Sequence, residues 1–249
     1  MTIYTDKRLL RTGLIGGTFS RHSGNMREVA CQNAALAELG VQTEHILHFH
    51  QTHSDTLLSI SSAQAAQAVL AAPLQDADAW VFSPCISGWG AAIVTADCVP
   101  VFLWDDTGSY AALAHCGWRG VVKGLAQKAA QALLTQNPHL RLNAWLGPHI
   151  QACCFEVQED VAAQFPANCV LRKKDKIYVD LNIEIKRQLT QAGVAAEKIQ
   201  TPYYCTCGDK ENFFSWRRDH EKNMLLSFLY KPQGLHRKKL FSLICEYGT

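Results

Sequence analysis

The sequence predicts one α/β domain of the α+β kind spanning residues 1–249, and three observations carry that expectation. First, 48% of the residues are apolar and 18% charged, enough to bury a large core. The length still suits a single core. Second, strand-length apolar runs (residues 91–94, 99–104 and 111–114) occur together with segments whose apolar residues recur at helical spacing (residues 27–39 and 120–135). Third, no internal repeat and no Pro- or Ser-rich linker divides the chain.

In chain order, Gly16-Gly17-Thr18 through Asn25 reads as an exposed, glycine-punctuated loop. Residues 27–39 carry Val29, Ala30, Ala34, Ala37 and Leu39 in a helix pattern stopped by Gly40. Histidines 45, 48, 50 and 53 crowd the next stretch. An extended chain there puts His48 and His50 on one face and His53 at its end. Residues 57–60 read as a strand, 64–72 as a short Ala/Gln-rich helix, and 79–82 as a strand following Asp76 and Asp78. Ser87-Gly88-Trp89-Gly90 then turns the chain.

The densest stretch follows. Residues 91–94 lead into Thr95-Ala96-Asp97-Cys98, and residues 99–104 into the turn Asp105-Asp106-Thr107-Gly108. Residues 111–114 then lead into His115-Cys116-Gly117-Trp118-Arg119-Gly120. As strand, strand, turn, strand, this folds back on itself and brings Cys98 and His115 to one rim of a sheet. Residues 120–135 form a helix pattern, and Gly117 and Gly120 leave the amides at its entrance open to an anion such as phosphate.

Beyond it, residues 143–146 form a short strand and Gly147-Pro148-His149-Ile150 turns toward Cys153-Cys154. A helix is expected over 161–165, a solvated basic loop over 172–176, an amphipathic segment over 182–191 and a strand over 199–204. The tail 231–249 takes no assignment.

A net charge of +2 spreads no nucleic-acid footprint over the surface. No run of 18 apolar residues predicts a membrane span, and the N-terminus lacks a signal-peptide pattern. A cytoplasmic location is expected. There the ten cysteines stay reduced, as core residues, ligands or nucleophiles.

His53, Cys98 and His115 supply the soft and imidazole donors of a three-ligand metal site with an open position, each at a predicted strand end. The same residues suit a second chemistry, a Cys98 thiolate with His115 as base and Asp97 or Asp55 nearby. Arg119, Arg217 and Arg218 are candidates for anion recognition. Trp118, Trp216 and Phe214 are either core aromatics or stacking platforms for a flat base. Gly16-Gly17 is a weak phosphate-loop signal, and Cys205-x-Cys207 lacks the spacing of a zinc knuckle, so its cysteines are read as core or supporting residues.

Four motifs occur in order. They are Thr95-Ala96-Asp97-Cys98-Val99-Pro100, then Ala114 through Gly120, then Gly147-Pro148-His149-Ile150 with Cys153 through Val157, and finally Cys205-Thr206 with Phe214 through Asp219. Together they resemble the laccase-domain family, also called polyphenol oxidase-like purine nucleoside phosphorylases, over about residues 16–224. The resemblance implies a mixed β-sandwich flanked by helices, a layered architecture compared with cysteine hydrolases. It implies a zinc ion, with copper as the alternative, on His53, Cys98 and His115. It also implies phosphorolysis of adenosine, inosine and S-methyl-5′-thioadenosine to free base and ribose 1-phosphate, adenosine deamination, and copper-linked phenol oxidation. The other readings are a cytoplasmic amidase editing peptidoglycan precursors and a non-catalytic metal-binding protein. The chain departs from the family pattern at Ser54, where glycine is usual, and at Leu14 and Asn223, where arginines are usual.

Overall fold

The computed structural model describes residues 1–234. Its strands are β1 (Ile3–Tyr4), β2 (Ile15–Phe19), β3 (Ile46–Leu47), β4 (Leu57–Ile60), β5 (Ala79–Phe82), β6 (Trp89–Thr95) and β7 (Val99–Asp105). They continue with β8 (Ala111–Cys116), β9 (Leu142–Leu146), β10 (Glu156–Val157), β11 (Val170–Lys173), β12 (Lys176–Val179), β13 (Ile199–Gln200) and β14 (Leu225–Lys231). A mixed five-stranded sheet runs β1-β2-β14-β6-β3 and a mixed six-stranded sheet β13-β9-β7-β8-β5-β4. A small antiparallel sheet, β10-β12-β11, forms apart from both.

The period-two alternation of strand side chains decides the layering. On β7, Phe102 and Trp104 pack with Trp80, Leu113 and Trp145 against Ala91, Ile93, Leu225 and Leu229 of the other sheet. Val99, Val101 and Leu103 point the opposite way, into a core shared with the helices Leu125–Gln136 and Leu181–Gln191. The outer face of the five-stranded sheet, with Ala92, Leu226 and Phe228, is covered by Ala35 and Leu36 of the helix Val29–Glu38. The order is therefore helix, sheet, sheet, helices, the mixed α/β fold expected. Strand β7 is buried along its whole length, which explains its apolar run from Val99 to Trp104.

Several local expectations are corrected. Gly16 and Gly17 lie inside the buried strand β2, not in an exposed loop. A Cβ at Gly17 would stand 2.4 Å from the Tyr4 carbonyl oxygen, so close strand approach requires the glycine. The basic stretch 172–176 is a hairpin, β11 paired to β12 in the register Lys173↔Lys176, with Lys174 at φ 54° in its turn. The helix over 120–135 is two helices, Trp118–Val122 and Leu125–Gln136, parted by Gly124 at φ 77°. The helix placed at 161–165 is the short Glu159–Ala162, and the strand at 199–204 ends after Gln200. In the histidine-rich stretch the strand is confined to Ile46–Leu47. Of the tail, residues 235–249 fall outside the described residues. Among the described residues no helix is long and apolar enough to cross a membrane.

Candidate functional site

The chain leaves the five-stranded sheet at Thr95 and enters the six-stranded one at Val99, and Cys98 sits in that crossing. Its neighbour Asp97 holds φ 91°, a left-handed conformation that turns the chain between sheets. Strands β7 and β8 pair with Pro100 opposite His115 and Val99 opposite Cys116, so the hairpin folds Cys98 back beside Gly117. The predicted rim is thus real. A Cβ on Gly117 would lie 2.7 Å from His53 Cδ2 and 3.2 Å from Cys98 Sγ, so the absence of a side chain there makes the room.

His53 arrives on a loop pinned from both sides. The Gln51 amide mimics a strand neighbour: its Nε2 donates to the Val94 carbonyl and its Oε1 accepts from the Val94 N–H, both at 2.8 Å. His53 itself is exposed and sits at φ 57°. The ligand atoms of His53, Cys98 and His115 all fall within 4.8 Å of one another. The two imidazole rings meet edge to face with centroids 4.8 Å apart.

What holds this arrangement is Asp78, which the sequence reading did not single out. It is wholly buried, and its carboxylate accepts from the N–H and hydroxyl of Thr52, the N–H of His53, and the N–H and hydroxyl of Ser54. It also takes His115 Nδ1 at 2.8 Å, while the His115 N–H donates to the Asp78 carbonyl at 2.7 Å. One carboxylate thereby fixes the His53 loop and orients the His115 ring, leaving Nε2 of His115 for the site. A carboxylate behind a ligating imidazole is the usual support of a metal site. Ser54, where the resemblance leads one to expect glycine, contributes an extra hydroxyl donor at 2.7 Å.

The electrostatics follow. Burial disfavours the Asp78 charge, but hydrogen bonds from His115 and Ser54 outweigh it and hold the carboxyl down at about 2. Burial likewise opposes ionisation of Cys98, and the His115 charge with hydrogen bonds from both histidines reverses this, bringing the thiol to about 6. His115 shows the converse: burial is overcome by the Cys98 thiolate and Asp78, which raise the imidazole to about 9. In metal-free protein, alkylation of Cys98 by iodoacetamide is therefore expected to follow a titration near pH 6, below the ordinary thiol range. Peptide mass spectrometry against pH checks it, and a midpoint at 8 or above would remove the thiolate–imidazolium pair.

The three donors line a cavity of about 930 Å³, within the range of small-molecule sites. Phe49, Trp118 and Trp216 give it flat apolar walls, and Arg27 and Arg217 place cations on it. Arg217 is tied by Nη1 to the carbonyls of Cys154 and Glu156, at 3.2 and 2.7 Å.

The remaining sequence candidates are distributed differently. Asp97 lines the cavity, but its carboxylate accepts from Thr206 Oγ1, Ser215 Oγ and the Arg217 N–H. It is a strut between the Cys98 crossing and the segment bearing Arg217, rather than a free acid. Arg218 is consumed by Asp219 and the carbonyls of Thr206, Cys207 and Phe213. Arg119 is exposed, with its guanidinium 4.3 Å over the Trp118 ring, and does not line the cavity. Gly120 is buried against the Ser54 carbonyl, where a Cβ would come within 3.1 Å. Phe214 is core, under the Arg21 guanidinium. Asp55 pairs with Lys123 and Lys128. Of the other histidines, His45 stacks on Trp89, His50 binds Asp76, and burial lowers the His48 imidazole. Leu14 is buried between the sheets and Asn223 bonds Glu221, so the two expected arginine positions carry no charge to the site. Arg27 was not anticipated: it follows a buried methionine in a helix-entry pattern, which gives no sign of a cavity.

The model of the family described as multi-copper polyphenol oxidoreductase laccase matches residues 17–228. A Xylella fastidiosa (strain 9a5c) protein named purine nucleoside phosphorylase is 35% identical over 68% of this chain and 65% of its own length. The Escherichia coli protein named purine nucleoside phosphorylase YfiH is 34% identical over 57% of this chain and 60% of its own. The chain thus spans less than two thirds of the length of these two relatives. A protein named adenosine deaminase RL5, from an unknown prokaryotic organism, is 31% identical over 73% of this chain and 72% of its own. Among solved structures, Geobacillus stearothermophilus YlmD superposes with a TM-score of 0.77 at 22% identity, covering 89% of this chain and 93% of its own.

Proposed function

This chain belongs to the multi-copper polyphenol oxidoreductase laccase family, and from that premise we propose that it is a metal-dependent purine nucleoside enzyme. Its reaction is phosphorolysis of adenosine, inosine or S-methyl-5′-thioadenosine, with deamination of adenosine at the same site. The names of the relatives support the substrate class. The observation that carries the reading is the convergence of His53, Cys98 and His115 in a cavity with aromatic walls and two arginines.

The donor set fits a zinc-type ion. Two imidazoles and one thiolate lie at mutual ligand spacing, His115 is backed by a buried carboxylate, and all three donors line the cavity. A zinc ion there supplies Lewis acidity and lowers the pKa of a water molecule. Copper also suits such donors, which supports copper-linked phenol oxidation as a side activity of the copper-loaded protein. The chain's own residues do the positioning. Trp118, Trp216 and Phe49 offer faces for the purine ring. Arg217 and Arg27 hold phosphate, Arg217 with its guanidinium already fixed by two carbonyls. In phosphorolysis a phosphate oxygen bonds to the anomeric carbon, the carbon–nitrogen bond breaks, and the base leaves with the electron pair and takes up a proton. Placement of phosphate in line behind that carbon is what fixed arginines contribute.

The deciding assay incubates the zinc-loaded protein with adenosine, with and without phosphate, and quantifies adenine, inosine and ribose 1-phosphate. Phosphate-dependent ribose 1-phosphate is expected, and Arg217→Ala is expected to raise the phosphate concentration for half-maximal rate by on the order of 10-fold or more, with hydrogen bonds to charged groups contributing about 1.5–3 kcal/mol. Formation of neither ribose 1-phosphate nor inosine would end the nucleoside reading. A second reading is favoured by the lowered Cys98 thiol beside a raised His115: a cysteine amidase acting on a peptidoglycan precursor. It requires amino-acid release that survives full chelation and stops on alkylation of Cys98.

A further inference from the structure

Outside the His53–Cys98–His115 set, three more sulfurs converge. Cys153 and Cys154 lie between β9 and β10, and Cys205 follows β13. Their ligand atoms all fall within 4.8 Å of one another. Cys153 Sγ stands 3.2 Å from Cys154 Sγ and 3.6 Å from Cys205 Sγ. An ion with metal–sulfur bonds of about 2.3 Å holds its sulfurs roughly 3.8–4.0 Å apart, a spacing small side-chain rotations reach here.

The backbones presenting these thiols are clamped together. His149 bridges Cys205 as a parallel pair, its N–H donating to the Tyr204 carbonyl and its carbonyl accepting the Thr206 N–H. The two loops therefore hold the sulfurs in place independently of any bond between them. The Gly208 N–H donates to Cys205 Sγ at 3.3 Å, which offsets part of the burial that pushes this thiol up. The Tyr203 hydroxyl hydrogen-bonds Cys153. Cys205 is buried while Cys153 is exposed, so the cluster has a protein-side anchor and a solvent-side entrance.

We propose that Cys153, Cys154 and Cys205 form a second metal site, for a thiophilic d¹⁰ cation of the zinc or cuprous type. Three thiolates are the donor set such ions select. Binding forms three metal–sulfur bonds and releases three thiol protons to solvent, with no change of oxidation state. A disulfide would need only two of these sulfurs; the third thiol and the amide aimed at Cys205 are what an ion uses. The site stands apart from the nucleoside reading, since none of its sulfurs belongs to the His53–Cys98–His115 set.

The test titrates reduced, metal-free full-length protein with cadmium under anaerobic conditions and follows sulfur-to-metal charge-transfer absorption. The wild type is expected to bind two ions per chain. Its absorbance should be about four times that of C153S/C154S/C205S, because four thiolates rather than Cys98 alone then ligate. One ion per chain with equal absorbance in both proteins overturns the site. If the triple variant does not fold, Cys153→Ser at the exposed position must lower the wild-type absorbance, and an unchanged signal overturns the proposal equally. Displacement of cadmium from the second site by zinc or by cuprous ion supports it and names the ion; displacement by neither overturns it. A Cys153–Cys205 disulfide forming in protein that binds no second cadmium when reduced also overturns it.

Discussion

Asp78→Asn is expected to lower zinc affinity by about 10–100-fold, although Asp78 touches no metal position. Its carboxylate accepts from six donors, five on residues 52–54 and one on His115. The asparagine amide turns an NH₂ group toward some of those donors and removes the charge that fixes the His115 ring. Because the carboxylate is wholly buried, removing its charge is also expected to cost about 3–5 kcal/mol of stability in the metal-free protein. Competition against a chromophoric chelator reads the first effect and urea denaturation the second. Unchanged zinc affinity in a folded variant would strip Asp78 of its positioning role.

The same residue gives a pH signature. The folded-state pKa lies below the ordinary carboxylate value of 3.8, at about 2. Its contribution to stability is therefore complete above about pH 4 and is lost as pH falls through about 2. Asp78→Asn should lack that part of the acid unfolding slope. An identical slope in both proteins would mean that Asp78 is not the titrating group.

Gly117→Ala is expected to weaken metal binding strongly with little loss of fold. Gly117 has φ −64° and ψ 162°, values open to alanine, so backbone strain plays no part. The whole effect comes from the new methyl, 2.7 Å from His53 Cδ2 and 3.2 Å from Cys98 Sγ. The His53 ring is exposed and can swing into solvent rather than compress the core. Stability should change by less than about 1 kcal/mol. Affinity should fall on the order of 100-fold as one of three ligands is displaced. The two readouts separate a steric loss of His53 from general unfolding: equal collapse of both, or unchanged zinc binding, contradicts this account.

The Cys98–His115 pair was legible because it is local. Two apolar runs, a turn ending in Gly108 and the antiparallel habit of such segments suffice to fold residue 98 onto residue 115, and the observed register does so. His53 was legible as a strand-end donor, although the strand before it is only Ile46–Leu47 and the Gln51–Val94 pairing does the placing. Asp78 was not legible. It stands 37 residues from His115 and reads as a polar residue ahead of an apolar strand. Only the pairing of β5 with β8 brings the two together.

The arginines show the same division. Residue type made Arg119, Arg217 and Arg218 candidates for anion recognition. The fold sends Arg119 onto Trp118, ties Arg218 into carbonyls, and leaves Arg217 with the unforeseen Arg27 on the cavity. Direction of a side chain depends on helix phase and on carbonyls supplied from distant segments, and neither is written in local spacing.

By itself, then, the sequence determined the mixed α/β class, the strand–turn–strand rim and the identity of three metal-type donors, because alternation, turn residues and donor chemistry act over short stretches of chain. The tertiary structure decided the rest: the carboxylate that orients the donors, the glycine that makes room for them, the arginines that face the cavity and the meeting of Cys153, Cys154 and Cys205. Those depend on strand pairings between segments tens of residues apart, and on which surfaces two packed sheets leave open.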